Sequence, residues 1–372
     1  MNSKLRLFFI ENAVVILFIL LIAVAIPVSG LPRQFLMQEI LMRLGRNSFL
    51  VIALLLPIMA GMGLNFGMVL GAMAGQIGLI FIMDWGIVGI PGVLLAMIIS
   101  LPISIFLGWL CGSIMNMAKG REMVTGFILA FFMNGLYMMI VLYAMGTLIP
   151  IMNPEMLLSR GYGIRNVVGL DGVRQCIDNL IPLKIGGLKI PVFSYLIIAA
   201  VSCFIVWFRK TKIGQDMRAV GQDRAVADAA GIPVERTRIM AIVISTVLAG
   251  IGQVIFLQNL GTINTTASHE QIGMFSIAAL LIGGASVTRA SIPNVLIGVT
   301  LFHLLFLVSP MAGKNLIGSA MLGEYFRQFV SYGVIAMALV LYEWKRMTQE
   351  HEARAELRGG AAPAKGAKGG AA

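Results

Sequence analysis

The sequence predicts an all-α protein that crosses a membrane many times, and three observations predict it. Hydrophobic residues make up 58% of the 372 residues and charged ones only 12%, against about 25% charged in soluble domains. The mean hydropathy is +0.90. No charged residue falls from Asn47 to Met83, from Trp85 to Ala118, or from Met123 to Pro154, and each run exceeds the roughly 20 apolar residues that span a bilayer as a helix. One large water-soluble core is excluded.

Taken in order, a first helix is expected from Phe9 to Ser29, ending before Gly30-Leu31-Pro32. The basic start and long apolar run resemble a signal sequence, but no A-x-A site follows, so it reads as a membrane helix. Arg33, Glu39, Arg43 and Arg46 mark an amphipathic linker lying in the interface. The run from Ser48 to Met83 is too long for one span, and its middle, Gly61-Met62-Gly63-Leu64-Asn65-Phe66-Gly67, is glycine-rich with a polar Asn. In lipid that means a broken helix shielded by protein, so two short helices are expected with the break near Gly63–Gly67.

Asp84 and Trp85 mark the next interface, and a helix follows from Gly89 to Met117, with Pro102 able to kink it. Lys119, Arg121 and Glu122 form a short basic loop, then a helix runs from Val124 to Leu148. Residues 149–190 are a hydrophilic segment on the outer side, with Gly186-Gly187 suggesting a turn. It either contacts an extracytoplasmic partner or caps the bundle. Further helices are expected at Pro191–Phe208, Ile239–Leu260, Ile272–Val287, Ile292–Val308 and Phe326–Tyr342. The sum is about ten transmembrane helices in one membrane domain, residues 1–346, followed by a low-complexity tail, 347–372, that is largely disordered.

The net charge of +11 lies in loops and tail, which fits charge retained on the cytoplasmic side rather than nucleic-acid binding. With about ten helices both ends fall inside, together with the 209–238 loop; Arg33, Arg43 and Arg46 then fall outside and break the rule. The three cysteines, Cys111, Cys176 and Cys203, form no CxxC pair, so neither a disulfide framework nor a metal site is indicated. His269, His303 and His351 are too far apart in sequence for a local metal cluster. There is no phosphate loop and no HExxH, so the chain carries no catalytic constellation and no ATPase of its own.

No Asp, Glu, Lys or Arg is expected at the centre of a helix, which disfavours a self-sufficient ion-coupled carrier. Polar residues inside apolar helices each need a partner or a water-lined cavity. The candidates for a solute pathway are Asn65, Gln76, Asn134, Tyr137, Gln253 and His303, with Asn116 and Gln258 on the same grounds. Asn65 leads because it sits at the backbone break. Gly71, Gly75 and Gly78 read as close-packing positions, and the 25 methionines as gap fillers.

The loop 209–238 carries the most polar information. Asp223 is a plausible N-cap, Ala225 to Ala230 favour helix, and Gly231 followed by Pro233 stops it. The resulting helix over Gln222 to Ala230 is too short and too charged to cross a bilayer. Its small face of Ala225, Ala229 and Ala230 suits a groove on a partner protein.

Gly221-Gln222-Asp223-Arg224-Ala225-Val226-Ala227-Asp228-Ala229-Ala230-Gly231-Ile232 resembles the cytoplasmic coupling loop of permease subunits of ABC importers, in the group that includes ribose-type sugar, nucleoside and branched-chain amino acid permeases. Family members read roughly G-x-N-x-x-A-A-x-x-x-G-I; this chain has Asp223 in place of Asn and Val226 in place of Ala. Phe275 to Ser286, ending Gly283-Gly284-Ala285-Ser286, resembles the family's I-A-A-x-x-x-G-G-x-S segment, and Gly63-Leu64-Asn65-Phe66-Gly67 its broken helix.

The resemblance implies a plasma (inner) membrane protein that works with a second permease subunit, two ABC ATPase domains that bind ATP and Mg, and an extracytoplasmic solute-binding protein. Gln222, Asp223, Arg224, Ala225, Ala229, Ala230 and Gly231 would couple to the ATPase. Asn65, where sugar permeases carry Asp, points to a neutral solute, a sugar or nucleoside. A branched-chain amino acid, and a stand-alone carrier or channel, remain as alternatives.

Overall fold

The computed structural model describes residues 13–118, 120–329, 332, 333, 335–337 and 340. The tail 347–372, the basic residues Lys4 and Arg6, Lys119 and the end of the last expected helix lie outside the described residues. The protein is mostly helical. Helix α1 (Ala13–Ser29) packs along α12 (Ile292–Ile317), and Asn315 Nδ2 donates to the carbonyls of Val28 (2.9 Å) and Ser29 (3.1 Å) where the two meet.

The segment expected as an interfacial linker is instead the first half of helix α2 (Arg33–Ala53), which continues after a one-residue break at Leu54 into α3 (Leu55–Met59). Pro57 has no N–H to give the carbonyl of Ala53, which accounts for the break. The expectation failed because the charges that ended the apolar run are neutralised locally. Arg43 Nε donates to Glu39 Oε1 at 2.8 Å and its guanidinium lies 5.5 Å from the Phe306 ring. Arg46 Nη1 donates to Asn259 Oδ1 at 2.9 Å and lies 5.6 Å from the Phe256 ring. The reading that no cation sits within a span is therefore corrected: Arg43 and Arg46 fall midway along Arg33–Met59.

The break after Met59 is as expected. Gly61 and Gly63 take φ of +70° and +72°, a region where a Cβ would be strained. Leu64 and Asn65 are fully buried, so the irregular backbone is shielded by protein. Helix α4 (Met68–Asp84) then packs between α5 (Gly89–Met117) and α10 (Val234–Leu260). A Cβ at Gly71 would strike the Thr246 carbonyl, one at Gly75 the Gly250 carbonyl, and one at Gly78 the Ala96 carbonyl. These glycines let backbones approach as small residues do in membrane bundles.

Helix α6 (Glu122–Met139) ends in a π-helical turn over Ile140–Ala144. It packs lightly, leaving Val124, Ile128, Phe131, Phe132 and Met139 exposed. Segment 149–190 is held onto one end of the bundle. Strand β1 (Val167–Gly169) pairs antiparallel with β4 (Thr262–Asn264), Val168 opposite Ile263, and β2 (Pro182–Ile185) forms a hairpin with β3 (Leu188–Pro191). Gly186 and Gly187, both at positive φ, make the turn that the sequence suggested. Asp84, expected at an interface, is buried, and its Oδ1 accepts from the backbone N–H groups of Met152 (2.7 Å) and Asn153 (2.9 Å).

Helix α7 (Val192–Phe208) is followed by α8 (Lys212–Gln222), bent 73° from it, and by the short α9 (Arg224–Ala229). Helix α11 (Ser268–Ile282) starts four residues before the expected Ile272 and stops at Gly283, before the expected Val287. A last helical stretch begins at residue 320. Among the described residues, five helices are long and apolar enough to cross a membrane: Arg33–Met59, Gly89–Met117, Glu122–Ala144, Val234–Leu260 and Ile292–Leu316. The bent pair Val192–Phe208 and Lys212–Gln222 would make a sixth; α1 and α4 are apolar but shorter.

Candidate functional site

Three of the polar residues singled out in the sequence meet around one that was set aside. His269, fully buried in the first turn of α11, sits with Nε2 2.8 Å from Asn134 Oδ1 and Nδ1 3.3 Å from Gln76 Oε1. Its ring packs edge-on to Tyr137, with centroids 4.6 Å apart. Gln76 in turn donates Nε2 to the carbonyls of Asn264 and Thr265, each at 3.1 Å, which fixes its Oε1 toward the imidazole. A continuous polar chain thus runs from α6 through α11 to α4.

Asn134 is the outer member of that chain and lines a cavity of about 410 Å³ between α4, α6 and α11. The other walls are Phe66, Phe127, Phe131 and Tyr332 with Val69, Ala130, Ala267, Gly273 and Met274, and the polar Glu270 and Gln271. Phe127 stands edge-on to both Phe66 (5.3 Å between centroids) and Phe131 (4.6 Å). Among the described residues the lining holds no Lys or Arg. A mostly apolar pocket with a few fixed polar groups is the ordinary form of a small-molecule site.

The remaining candidates fall elsewhere. Asn65 donates Nδ2 to Ser245 Oγ at 3.2 Å inside the α4/α10 contact, one residue from Phe66. Gln253 lies against Gly75, its amide without a hydrogen-bond partner among the described residues. His303 is packed with Phe302 and Phe306 on α12, away from the cavity. Asn116 accepts from Arg238 Nη1 at 2.6 Å at the opposite end from the β-strands, and Gln258 donates to Asp178 Oδ2 at 3.0 Å at the strand end. The sequence missed His269, Glu270 and Gln271. Ser268-His269-Glu270-Gln271 is a polar run at the head of an apolar segment, and it was weighed only as metal-ligand spacing.

At the strand end, Asp178 is buried and accepts from Ser194 Oγ (2.6 Å), Gln258 Nε2 (3.0 Å) and Asn259 Nδ2 (2.8 Å). Asn259 bridges it to Arg46. Arg160 and Arg165 are committed to nearby backbone carbonyls, Arg160 to Leu142 and Tyr162 and Arg165 to Leu157. Cys176 in the same segment is half-buried, and that desolvation raises its thiol above the usual cysteine value.

At the other end, the short helix expected over Gln222–Ala230 is α9 (Arg224–Ala229), and Gln222 belongs instead to the preceding α8 (Lys212–Gln222), which the sequence did not suggest. Asp223 takes an extended backbone (φ −152°, ψ 117°) between them and caps α9, its Oδ1 accepting from the N–H groups of Ala225 (2.8 Å) and Val226 (3.1 Å). Gly231 at φ +80° ends it. Ala227 faces inward, while Ala225, Val226, Ala229 and Ala230 are exposed. Glu122, read as part of a solvated loop, is buried, and its Oε1 accepts from Arg224 Nη2 of α9 and Arg238 Nη2 of α10, each at 2.6 Å.

Fold and cavity together define a multi-pass helical membrane protein with a solute-sized pocket and an exposed pair of helices at one end. The chain belongs to the family described as branched-chain amino acid transport system / permease component, whose model matches residues 15–341. It is 32% identical over 187 residues to the probable ABC transporter permease protein YphD of Escherichia coli (strain K12), covering 46% of this chain and 53% of that one. It is 27% identical over 266 residues to the autoinducer 2 import system permease protein LsrD of Escherichia coli and of Shigella flexneri, covering 71% of this chain and 72% of the relative. The match thus spans about half the length of the first relative. No solved structure matches.

Proposed function

We propose that this permease is the membrane subunit of an ATP-driven importer for a small neutral solute, a sugar or nucleoside-like molecule. Its similarity to the permease of an autoinducer 2 import system supports import. The observation that carries the solute class is the cavity wall: an aromatic cluster of Phe66, Phe127, Phe131 and Tyr332 beside the uncharged Asn134 and Gln271, with no Lys or Arg among the described residues to meet an anionic group. Rings offer stacking faces and the amides offer directional hydrogen bonds, as a polyhydroxylated ring requires. A branched-chain amino acid would find Glu270 for its ammonium but no cation in the lining for its carboxylate.

In this reading the chain makes about ten crossings, counting α1, α4, α7, α11 and the helix from residue 320 with the five long spans. Both ends and the basic α8–α9 region then face the cytoplasm. Helix α9 docks through Ala225, Val226, Ala229 and Ala230 into a groove of an ABC ATPase, with Gln222, Asp223, Arg224 and Gly231 fixing its ends. ATP and Mg bind to the two ATPase partners. A second permease copy or a different chain completes the pathway, and an extracytoplasmic binding protein delivers the solute to the end capped by 149–190.

The test is a pull-down from native membranes comparing wild type with Ala229→Glu, a bulky charge on the exposed face of α9. Wild type is expected to bring down an ATP-binding subunit and the variant to lose it. Recovery of no such subunit under conditions that keep membrane complexes intact would turn the reading toward a stand-alone carrier or channel.

A further inference from the structure

A second cavity, about 760 Å³, opens at the α8–α9 end, and of its lining residues only Gln222 figures in the reading above. Its rim is basic. Arg209 comes from the end of α7, Arg218 from α8 and Arg289 from the loop between α11 and α12, so three separate segments converge on one groove. Gln222, Thr288 and Ser291 add hydrogen-bonding groups beside them, and among the described residues no Asp or Glu lines the groove. None of the three arginines makes an ion pair among the described residues. The floor is apolar, built from Leu55, Leu56, Ile58, Met59, Ile205 and Ile292. Trp207, two residues before Arg209, is 62% exposed on the adjoining surface, the position of an aromatic side chain at a membrane–water interface.

We propose that this groove binds the phosphate headgroup of an anionic phospholipid, its acyl chains lying on the floor of α3 and α7. Three converging guanidiniums match a phosphodiester through charge-assisted hydrogen bonds, and basic pockets between helices at a membrane surface hold such headgroups. The floor distinguishes the ligand from a free anion: inorganic phosphate would use the rim alone, whereas a lipid uses both. It also distinguishes the groove from diffuse surface charge. Lys210 and Lys212 carry the same charge in the same loop and do not line it.

The experiment measures lipid retained by the purified full-length chain, by native mass spectrometry, after exchange into mixed phosphatidylglycerol and phosphatidylcholine. Wild type is expected to retain phosphatidylglycerol in preference. A charge-assisted hydrogen bond to the phosphate contributes about tenfold in affinity, so each single variant is expected to lower retention by about tenfold and Arg209→Gln/Arg218→Gln/Arg289→Gln by roughly a hundredfold or more. Lys210→Gln/Lys212→Gln is expected to keep the preference. Equal losses from the two sets would overturn the site in favour of general charge attraction. Inorganic phosphate displacing the lipid at equal concentration would overturn the lipid assignment. Loss of phosphatidylglycerol on adding an ATPase that copurifies with the chain would assign the groove to a protein contact instead. Should the triple variant fail to fold, the single variants decide the matter.

Discussion

Replacing Glu122 by Gln tests how α9 is tied to the bundle. Glu122 and Arg238 are 7% and 2% exposed, and one carboxylate oxygen serves both Arg224 and Arg238 at 2.6 Å. Without the charge, the Gln amide oxygen offers only a neutral acceptor, and Arg238, left with that, Asn116 and the more distant Glu235, faces Arg224 with its charge largely uncompensated. Removing one partner of a buried ion pair is destabilising by about 3–5 kcal/mol. Arg224 presents a different case, because its side chain is 36% exposed and an ion pair of that kind contributes roughly 0–1 kcal/mol. Unfolding of the purified chain in mild detergent, followed by circular dichroism, is therefore expected to show Glu122→Gln far less stable than Arg224→Gln. The double variant Glu122→Gln/Arg238→Gln should recover part of the loss, since it removes the stranded charge as well. Equal destabilisation by Glu122→Gln and Arg224→Gln, or strict additivity in the double variant, would refute the view that Glu122 holds the two arginines as a unit.

Other outcomes follow from the same coordinates. Gly75→Ala drives a methyl into the Gly250 carbonyl and is expected to lose about 1–3 kcal/mol by overpacking, whereas Gly135→Ala, which meets nothing within 4 Å, should be neutral or gain up to about 1 kcal/mol of helix propensity; thermal unfolding in detergent separates them. Asp178→Asn weakens three hydrogen bonds to a charged acceptor, each worth about 1.5–3 kcal/mol, and should speed tryptic cleavage within 149–190. Asn134→Ala strips the cavity of its amide and His269 of its Nε2 partner. A buried group left unsatisfied costs about 1–3 kcal/mol, so uptake in cells at low solute concentration is expected to fall by roughly tenfold, while Asn116→Ala should leave solute affinity unchanged.

Much of the bundle was legible because lipid forces every backbone polar group into a helix, so apolar runs map onto spans. The break at Gly61–Gly67, the hairpin turn at Gly186-Gly187 and the Asp223 cap rest on local backbone chemistry, which sequence carries, and the helical spacing of Gly71, Gly75 and Gly78 marked a close-packing face though not the helices it meets. What failed depends on distant partners. Arg43 and Arg46 looked like the end of a span until Glu39, Asn259, Phe256 and Phe306 were found around them. Glu122 looked solvated because its partners lie 102 and 116 residues away. His269 was weighed only for metal-ligand spacing, which it fails, and was missed as a hydrogen-bond hub, since nothing local says that Gln76 and Asn134 reach it.

The bundle is not uniformly packed, and the difference bears on transport. Helices α4, α5 and α10 are locked backbone to backbone: Gly71 and Gly75 sit against the Thr246 and Gly250 carbonyls, Gly78 against Ala96, and Gly108 against Val243 and Thr246. Sliding any of these past its neighbour would drive an atom into a carbonyl, so they form a rigid frame. Helix α6 has no such lock. Its glycines are loosely faced, Gly126 meeting the flexible Met115 side chain and Gly135 nothing within 4 Å, and its far end unwinds through a π-helical turn. Yet α6 carries Glu122 at one end and Asn134 twelve residues further on, about 18 Å along a helix axis. The carboxylate that grips α9 and the amide that lines the cavity thus ride on one element. Glu122 is also tied to the frame, through Arg238 of α10. A displacement of α9 that pulled Arg224 would therefore act on α6 about that contact, and any tilt of α6 would shift Asn134 relative to Gln76, which is fixed to the frame. That geometry needs no chain of side-chain rearrangements, only a stiff helix with a charged handle and a frame that stays still.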